Sequence, residues 1–252
     1  MIKLLITLIF LMTPCLSLGS VYLLVNEPNS HWEKFDGMTQ AQVTAMQDAR
    51  GKTYTIKTKA QYEVVFPPGY AIYVIAGQSN SLYMGQQEAD NFLSLMNLDL
   101  NYSTTIVCGV GSTAMSRWVG DGTGDLYNIM IALITSMKEA HAQSHVAGLL
   151  FWQGESDADG GINTTSWPQR FTDMVAYFRA DIIDPNKRVV FAQITDTGGE
   201  ARDLFRTLQA GISIDNVSMV VTDGITQLGD HTDEAGYTTM INRFATAMKA
   251  LQ

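Results

Sequence analysis

Ser79 stands in Ala76-Gly77-Gln78-Ser79-Asn80-Ser81, directly after an apolar, β-rich run. A serine just past a buried strand, preceded by glycine, presents its hydroxyl at the strand end and turns its own N–H inward. That is the placement a nucleophile needs. The same residues also suit a plain Gly/Ser/Asn turn, and the flanking glycines do not form a GxSxG elbow. A base must accompany such a serine. Of the four histidines, His31 falls in an N-terminal segment, and His141 and His145 flank a helix end where exposure explains them. His231 differs: it sits in Gly229-Asp230-His231-Thr232-Asp233-Glu234, with carboxylates around it. Alone it reads as structural, but with Ser79 on a second strand-end loop it becomes a candidate general base.

Two further loops carry groups that suit developing negative charge. Gly109-Val110-Gly111-Ser112-Thr113-Ala114 lets backbone approach a ligand closely, so an N–H there can donate to an oxyanion; a loose turn fits equally. Trp152-Gln153-Gly154-Glu155-Ser156-Asp157 breaks abruptly from apolar to polar. The Gln153 amide can serve as an oxyanion donor, and a carboxylate beside it can orient a base; a solvated loop fits as well. Cys108 ends a β-branched run and behaves as a small buried hydrophobe rather than a catalytic thiol. No CxxC pair or His-Cys cluster points to a metal.

Positioning these loops requires strands, and the sequence supplies them. β-rich apolar runs occur at residues 71–76, 104–108, 146–152, 188–194 and 217–222. Amphipathic stretches at 126–141, 168–182, 200–212 and 235–251 read as helices, with Pro168 in a first turn where its missing N–H does no harm. Strands alternating with helices imply an α/β fold: a mostly parallel sheet covered on both faces, with ligands at the carboxyl ends of the strands. All four loops lie at such ends. The segment 20–69 reads as a small α+β piece of separate character: a strand over 21–25, a helix opened by the capping-box pair Thr39 and Gln42 and stopped by Gly51, and a hairpin over 54–57 and 62–66 ended by Pro67-Pro68-Gly69.

Taken in order, Gly-Gln-Ser-Asn at 77–80, the glycine loop, Trp-Gln-Gly-Glu-Ser-Asp at 152–157 and the late Asp/His followed by glycine resemble the SGNH hydrolase superfamily. More narrowly they look like its carbohydrate acetylesterase branch, which holds sialate O-acetylesterases and family-six acetylxylan esterases. Asp125-Leu126-Tyr127 and the pair Arg206 and Gln209 also look like that branch. The resemblance runs from about Tyr70 to the C-terminus and implies a flavodoxin-like, three-layer SGNH fold. It implies that Ser79 attacks an acetyl ester, that His231 takes and returns the proton, and that the N–H groups of Ser79 and Gly111 with the Gln153 amide hold the oxyanion. No cofactor and no metal are implied. The chain departs from the pattern in two places. The usual acid position, three residues before the histidine, is Leu228, which puts Glu155 first and Asp230 second as the acid, with Asp233 and Asp223 behind them. Val110 also separates a glycine pair that is usually continuous.

Composition bounds the partners. The 252 residues carry a net charge of −9, which leaves no electrostatic footprint for nucleic acid or anionic lipid. A neutral acetylated carbohydrate suits that balance better than an anionic one. Residues 1–19 have the layout of a secretory signal: Lys3, an apolar stretch too short to span a bilayer, then Pro14 and small residues. The expectation is a secreted or periplasmic protein with a cleaved signal at 1–19, a segment or accessory module at 20–69 and an esterase domain at 70–252, with no membrane span after cleavage. A lipid- or membrane-anchored form is the alternative. Two other functions remain compatible with the residues: a non-catalytic carbohydrate-binding or adhesion protein on the same fold, and a lipid ester or thioester hydrolase with a groove built from Met115, Trp118 and Val119.

Overall fold

The run 71–77 is apolar at every position, which marks a strand buried on both faces. In the computed structural model it forms an interior strand, second from one edge of the sheet, in the larger of two compact units, Met1–Pro67 and Pro68–Gln252. The structure describes residues 20–25, 31–36, 39–49, 54–57, 70–141, 143–161 and 164–251. The expected signal at 1–19, with Cys15, lies outside them, as do the helix stop at Gly51 and the expected strand over 62–66.

In the smaller unit, β1 (Ser20–Val25) pairs antiparallel with both β2 (His31–Asp36) and β3 (Tyr54–Lys57). Helix α1 (Gln40–Ala49) opens on the expected capping box. The Thr39 N–H donates to Gln42 Oε1 at 2.8 Å, and the Gln42 N–H donates back to Thr39 Oγ1 at 3.3 Å.

The larger unit holds β4 (Ala71–Gly77), β5 (Ser103–Val107), β6 (His145–Trp152), β7 (Val189–Ala192) and β8 (Val217–Val220). They form one parallel sheet in the order β5-β4-β6-β7-β8. Helices α2 (Ser79–Tyr83) and α3 (Gly85–Leu95) follow β4, and α4 (Asp125–Ala140) follows β5. Then come α5 (Glu155–Gly160) and α6 (Trp167–Asp181) after β6, α7 (Glu200–Ala210) after β7, and the closing α8 (Glu234–Ala250). Period-two alternation sends Ile72, Val74 and Ala76 into one core and Tyr73 and Ile75 into the other. The first core packs against α4 and α6 through Met130, Phe171 and Phe178; the second packs against α3 and α8 through Phe92, Met240 and Phe244. Helices thus cover both faces, as expected of the three-layer α/β fold. Among the described residues no helix is long and apolar enough to cross a membrane.

Three strands end short of the expected bounds, β5 by one residue and β7 and β8 by two, and side chains explain β7. Beyond Ala192 the Ile194 N–H leaves the ladder and donates to Gln209 Oε1 at 2.8 Å. The adjoining Arg206 donates to the Ile194 carbonyl and to Thr222 Oγ1, so this helix face fastens the ends of β7 and β8.

Candidate active site

Gly77 ends β4 at φ +129°, where a Cβ would lie 2.0 Å from the Trp152 carbonyl oxygen. Only glycine permits this approach, and it turns the chain sharply enough for Ser79 to open α2 at the carboxyl edge of the sheet. Ser81 secures the turn by donating its hydroxyl to the Ala76 carbonyl at 2.7 Å. His231 arrives from far along the chain on a short antiparallel pair, β9 (Gln227–Leu228) with β10 (His231–Thr232). Its Nε2 lies 2.9 Å from Ser79 Oγ. Both residues are half-buried, so the pair is open to a ligand. Tyr83 packs its ring edge-on against the imidazole, with centroids 4.9 Å apart.

Asn80 holds this arrangement from beneath. It is fully buried, and its Nδ2 donates to Glu155 Oε1 at 2.9 Å and to the Asp230 carbonyl at 3.0 Å. Its Oδ1 accepts from the Tyr237 hydroxyl at 3.2 Å. One amide therefore joins the serine turn, the start of α5, the histidine loop and α8.

The structure places the two expected acids away from the imidazole. Among the described residues no carboxylate hydrogen-bonds to the His231 ring. Glu155 is buried beside Asn80, and its Oε2 makes no hydrogen bond. Burial pushes its pKa up to about 7, against the pull of nearby backbone N–H groups, the Asn80 amide and the Arg202 charge. Asp230 turns its side chain to Arg202 Nη2 at 2.5 Å, because that buried guanidinium is the stronger attraction. Of the remaining candidates, Asp233 accepts from the Gly236 N–H at 2.7 Å as the N-cap of α8, and Asp223 pairs with Arg206.

The oxyanion candidates divide in the same way. A Cβ built on Gly111 would lie 3.8 Å from Ser79 Cβ, so the glycine loop does come up against the serine. Gln153 is engaged elsewhere. Its two amide hydrogens face the Thr113 carbonyl at 2.8 Å and Asp157 Oδ2 at 2.5 Å, with Gln78 Oε1 further off at 3.4 Å. Its Oε1 accepts from Trp167 Nε1 at 2.7 Å. With both hydrogens committed and no exposed surface, Gln153 fastens three loops instead of pointing at Ser79.

Arg202 and Asn80 were not singled out from the sequence. Arg202 is 5% exposed; it clasps Asp159 through Nε and Nη2 and donates from Nη1 to Thr195, besides its bond to Asp230. The pattern of Arg202 and Asp159 has no fixed spacing that marks it. The groove proposed for a lipid ester is not formed: Met115 and Trp118 are 0% and 1% exposed, so both serve the core. Burial pushes the Cys108 thiol up to about 12, which keeps it protonated.

Comparison with known proteins adds a family and a fold. Residues 94–250, more than half of the chain, match the family described as carbohydrate esterase, sialic acid-specific acetylesterase. That span holds Gln153, Glu155 and His231 and begins after Ser79. A protein from Arabidopsis thaliana shares 18% identity at a TM-score of 0.63, over 73% of this chain and 99% of its own. NanS shares 15% at 0.57, over 73% of this chain and 98% of its own. A carbohydrate acetylesterase from Xanthomonas citri shares 14% at 0.56, over 93% of this chain and 69% of its own. Identities this low carry the fold alone. No curated protein sequence matches the chain significantly.

Proposed function

Since this chain belongs to the sialic acid-specific acetylesterase family of carbohydrate esterases, and is thereby a carboxylic ester hydrolase, we propose that Ser79 and His231 remove O-acetyl groups from a carbohydrate. The observation that carries this reading is the 2.9 Å approach of His231 Nε2 to Ser79 Oγ at the carboxyl edge of a parallel sheet. Ser79 Oγ attacks the acetyl carbonyl while its proton passes to Nε2. The tetrahedral oxyanion is held by the N–H groups of Ser79 and Gly111. Collapse returns the proton to the departing sugar oxygen and leaves an acetyl-serine. Water, deprotonated at Nε2, then attacks that ester; as the bond to Ser79 Oγ breaks, Nε2 returns the proton to Oγ and acetate leaves.

The carboxylates act at one remove. Asp230 steadies the histidine loop through Arg202, and Glu155 steadies Asn80, which supports both catalytic residues. Hydrolysis of 4-nitrophenyl acetate tests the scheme: wild type releases 4-nitrophenol, and Ser79→Ala lowers kcat by about 10³-fold or more. Equal rates in the two proteins would dismiss it. The Lys3, apolar and small-residue layout of 1–19 further supports export with removal of that segment. N-terminal sequencing of exported protein would then start near Ser20, whereas a start at Met1 would count against it.

A further inference from the structure

With the Gln153 amide committed elsewhere, the oxyanion hole proposed above has two backbone donors, Ser79 and Gly111. The aim of the Gly111 N–H therefore matters more than it would beside a third donor. In a planar trans peptide that N–H points opposite to the carbonyl of the residue before it. Whatever fixes the Val110 carbonyl thus aims the Gly111 N–H. Glycine at 111 resists rotation of this peptide plane only weakly, so the aim needs an outside tie.

Thr113 supplies one. It is 2% exposed, and its hydroxyl donates to the Val110 carbonyl at 2.8 Å. The same oxygen accepts from Trp118 Nε1 at 3.2 Å, which leaves its single proton for Val110. Thr113 is held in turn: its carbonyl accepts from Gln153 Nε2 at 2.8 Å, and the Met115 N–H donates to buried Asp157 Oδ2 at 2.8 Å. On the other side the Val110 N–H donates to the Gly77 carbonyl at 2.9 Å, which joins this loop to the serine turn.

We infer that Thr113 is a positioning residue for ester cleavage, whose hydroxyl keeps the Val110–Gly111 peptide turned with its N–H towards the oxyanion. The inference rests on the esterase reading above. Without the hydroxyl the Val110 carbonyl loses its donor, and the plane rotates in search of another. The Gly111 N–H then leaves the charge that develops on the acetyl oxygen. That charge exists only along the reaction, so the loss falls on kcat and spares KM.

Steady-state hydrolysis of 4-nitrophenyl acetate by folded Thr113→Val and Thr113→Ser proteins tests this. Valine keeps the shape without the hydroxyl, and its kcat is expected to fall about 10²-fold with KM within about threefold of wild type. Serine keeps the hydroxyl, and its kcat is expected within about threefold of wild type. A valine variant with wild-type kcat overturns the inference, as does a serine variant as slow as valine, or a loss that appears in KM alone. Should Thr113→Val not fold, Thr113→Ala takes its place beside Thr113→Ser. Those two differ only in the hydroxyl, so equal kcat values again overturn the inference. An inactive wild type would sink the esterase reading and this inference with it, whereas an active wild type matched by Thr113→Val sinks the inference alone.

Discussion

Burial raises the Glu155 carboxyl from 4.5 to about 7, and its side-chain partner is Asn80 rather than His231. Two consequences follow for Glu155→Gln, which keeps the shape and an oxygen for the Asn80 amide. A neutral replacement of an acid that orients a catalytic histidine lowers kcat by roughly 10⁴-fold. Here the loss is expected to stay within about tenfold, measured on 4-nitrophenyl acetate beside His231→Ala; a loss as deep as that of His231→Ala would restore Glu155 as a triad member. The second consequence concerns stability. Because the folded pKa lies above the unfolded value, the native state holds this proton more tightly. The associated stabilisation is complete below pH 4.5, is lost as pH rises to about 7 and changes no further above it. Its full size is about 3 kcal/mol, from ~1.4 kcal/mol per unit. Urea midpoints of wild type and Glu155→Gln should diverge over that window, and parallel pH profiles would contradict the burial argument. Ser79 and His231 were legible in the sequence because each follows a strand-like run and carries chemistry that a turn does not need. The roles of Gln153 and Asp230 were not, since each is decided by a partner far along the chain: Thr113 lies 40 residues from Gln153, and Arg202 lies 28 from Asp230.

At the level of elements, Arg202 is where three of them meet. From α7 it reaches Asp159 on α5, Thr195 beyond β7 and Asp230 on the histidine loop. Truncation to methionine keeps the stem packed and removes the guanidinium. The side chains of Asp159 and Asp230 are 49% and 53% exposed, so they rehydrate rather than remain stranded, and the loss is expected at about 2 kcal/mol. The freed loop lets His231 drift, so kcat should fall about tenfold or more with KM for 4-nitrophenyl acetate little changed. Lysine should not rescue it, because one ammonium cannot reproduce the bidentate clasp on Asp159. An Arg202→Met protein with normal kcat would separate this network from positioning. The five sheet strands and helices α4, α6, α7 and α8 were readable from periodicity. Helix α3 has helical spacing at Ala89, Phe92 and Leu93 but opens at Gly85 with no side-chain cap, so no start signal marks it. Helix α5, six residues entered through Gly154 at φ +144°, and the two-residue strands β9 and β10 are too short to leave a periodic signal.

For the whole molecule the relevant fact is where the chemistry and its supports lie. Ser79, His231, Asn80, Arg202 and both cores fall within Pro68–Gln252, and every tie named for the site runs between residues of that unit. A chain of that length buries two continuous cores on either side of its sheet, enough to fold without disulfides. Its strands are parallel and their crossovers are helical, so each pairing is closed by an element inside the unit rather than by β1–β3, which pair among themselves. A protein consisting of residues 68–252 is therefore expected to unfold in one cooperative transition and to hydrolyse 4-nitrophenyl acetate with kcat within about threefold of the full chain. Circular-dichroism melting and steady-state kinetics check the two halves of that expectation. A fragment that melts without cooperativity would show that the first 67 residues contribute to the core of the second unit. A folded fragment that turns over small esters but loses acetylated oligosaccharides would assign the antiparallel sheet and α1 a part in holding the glycan, with the ester-cleaving chemistry left to the parallel sheet.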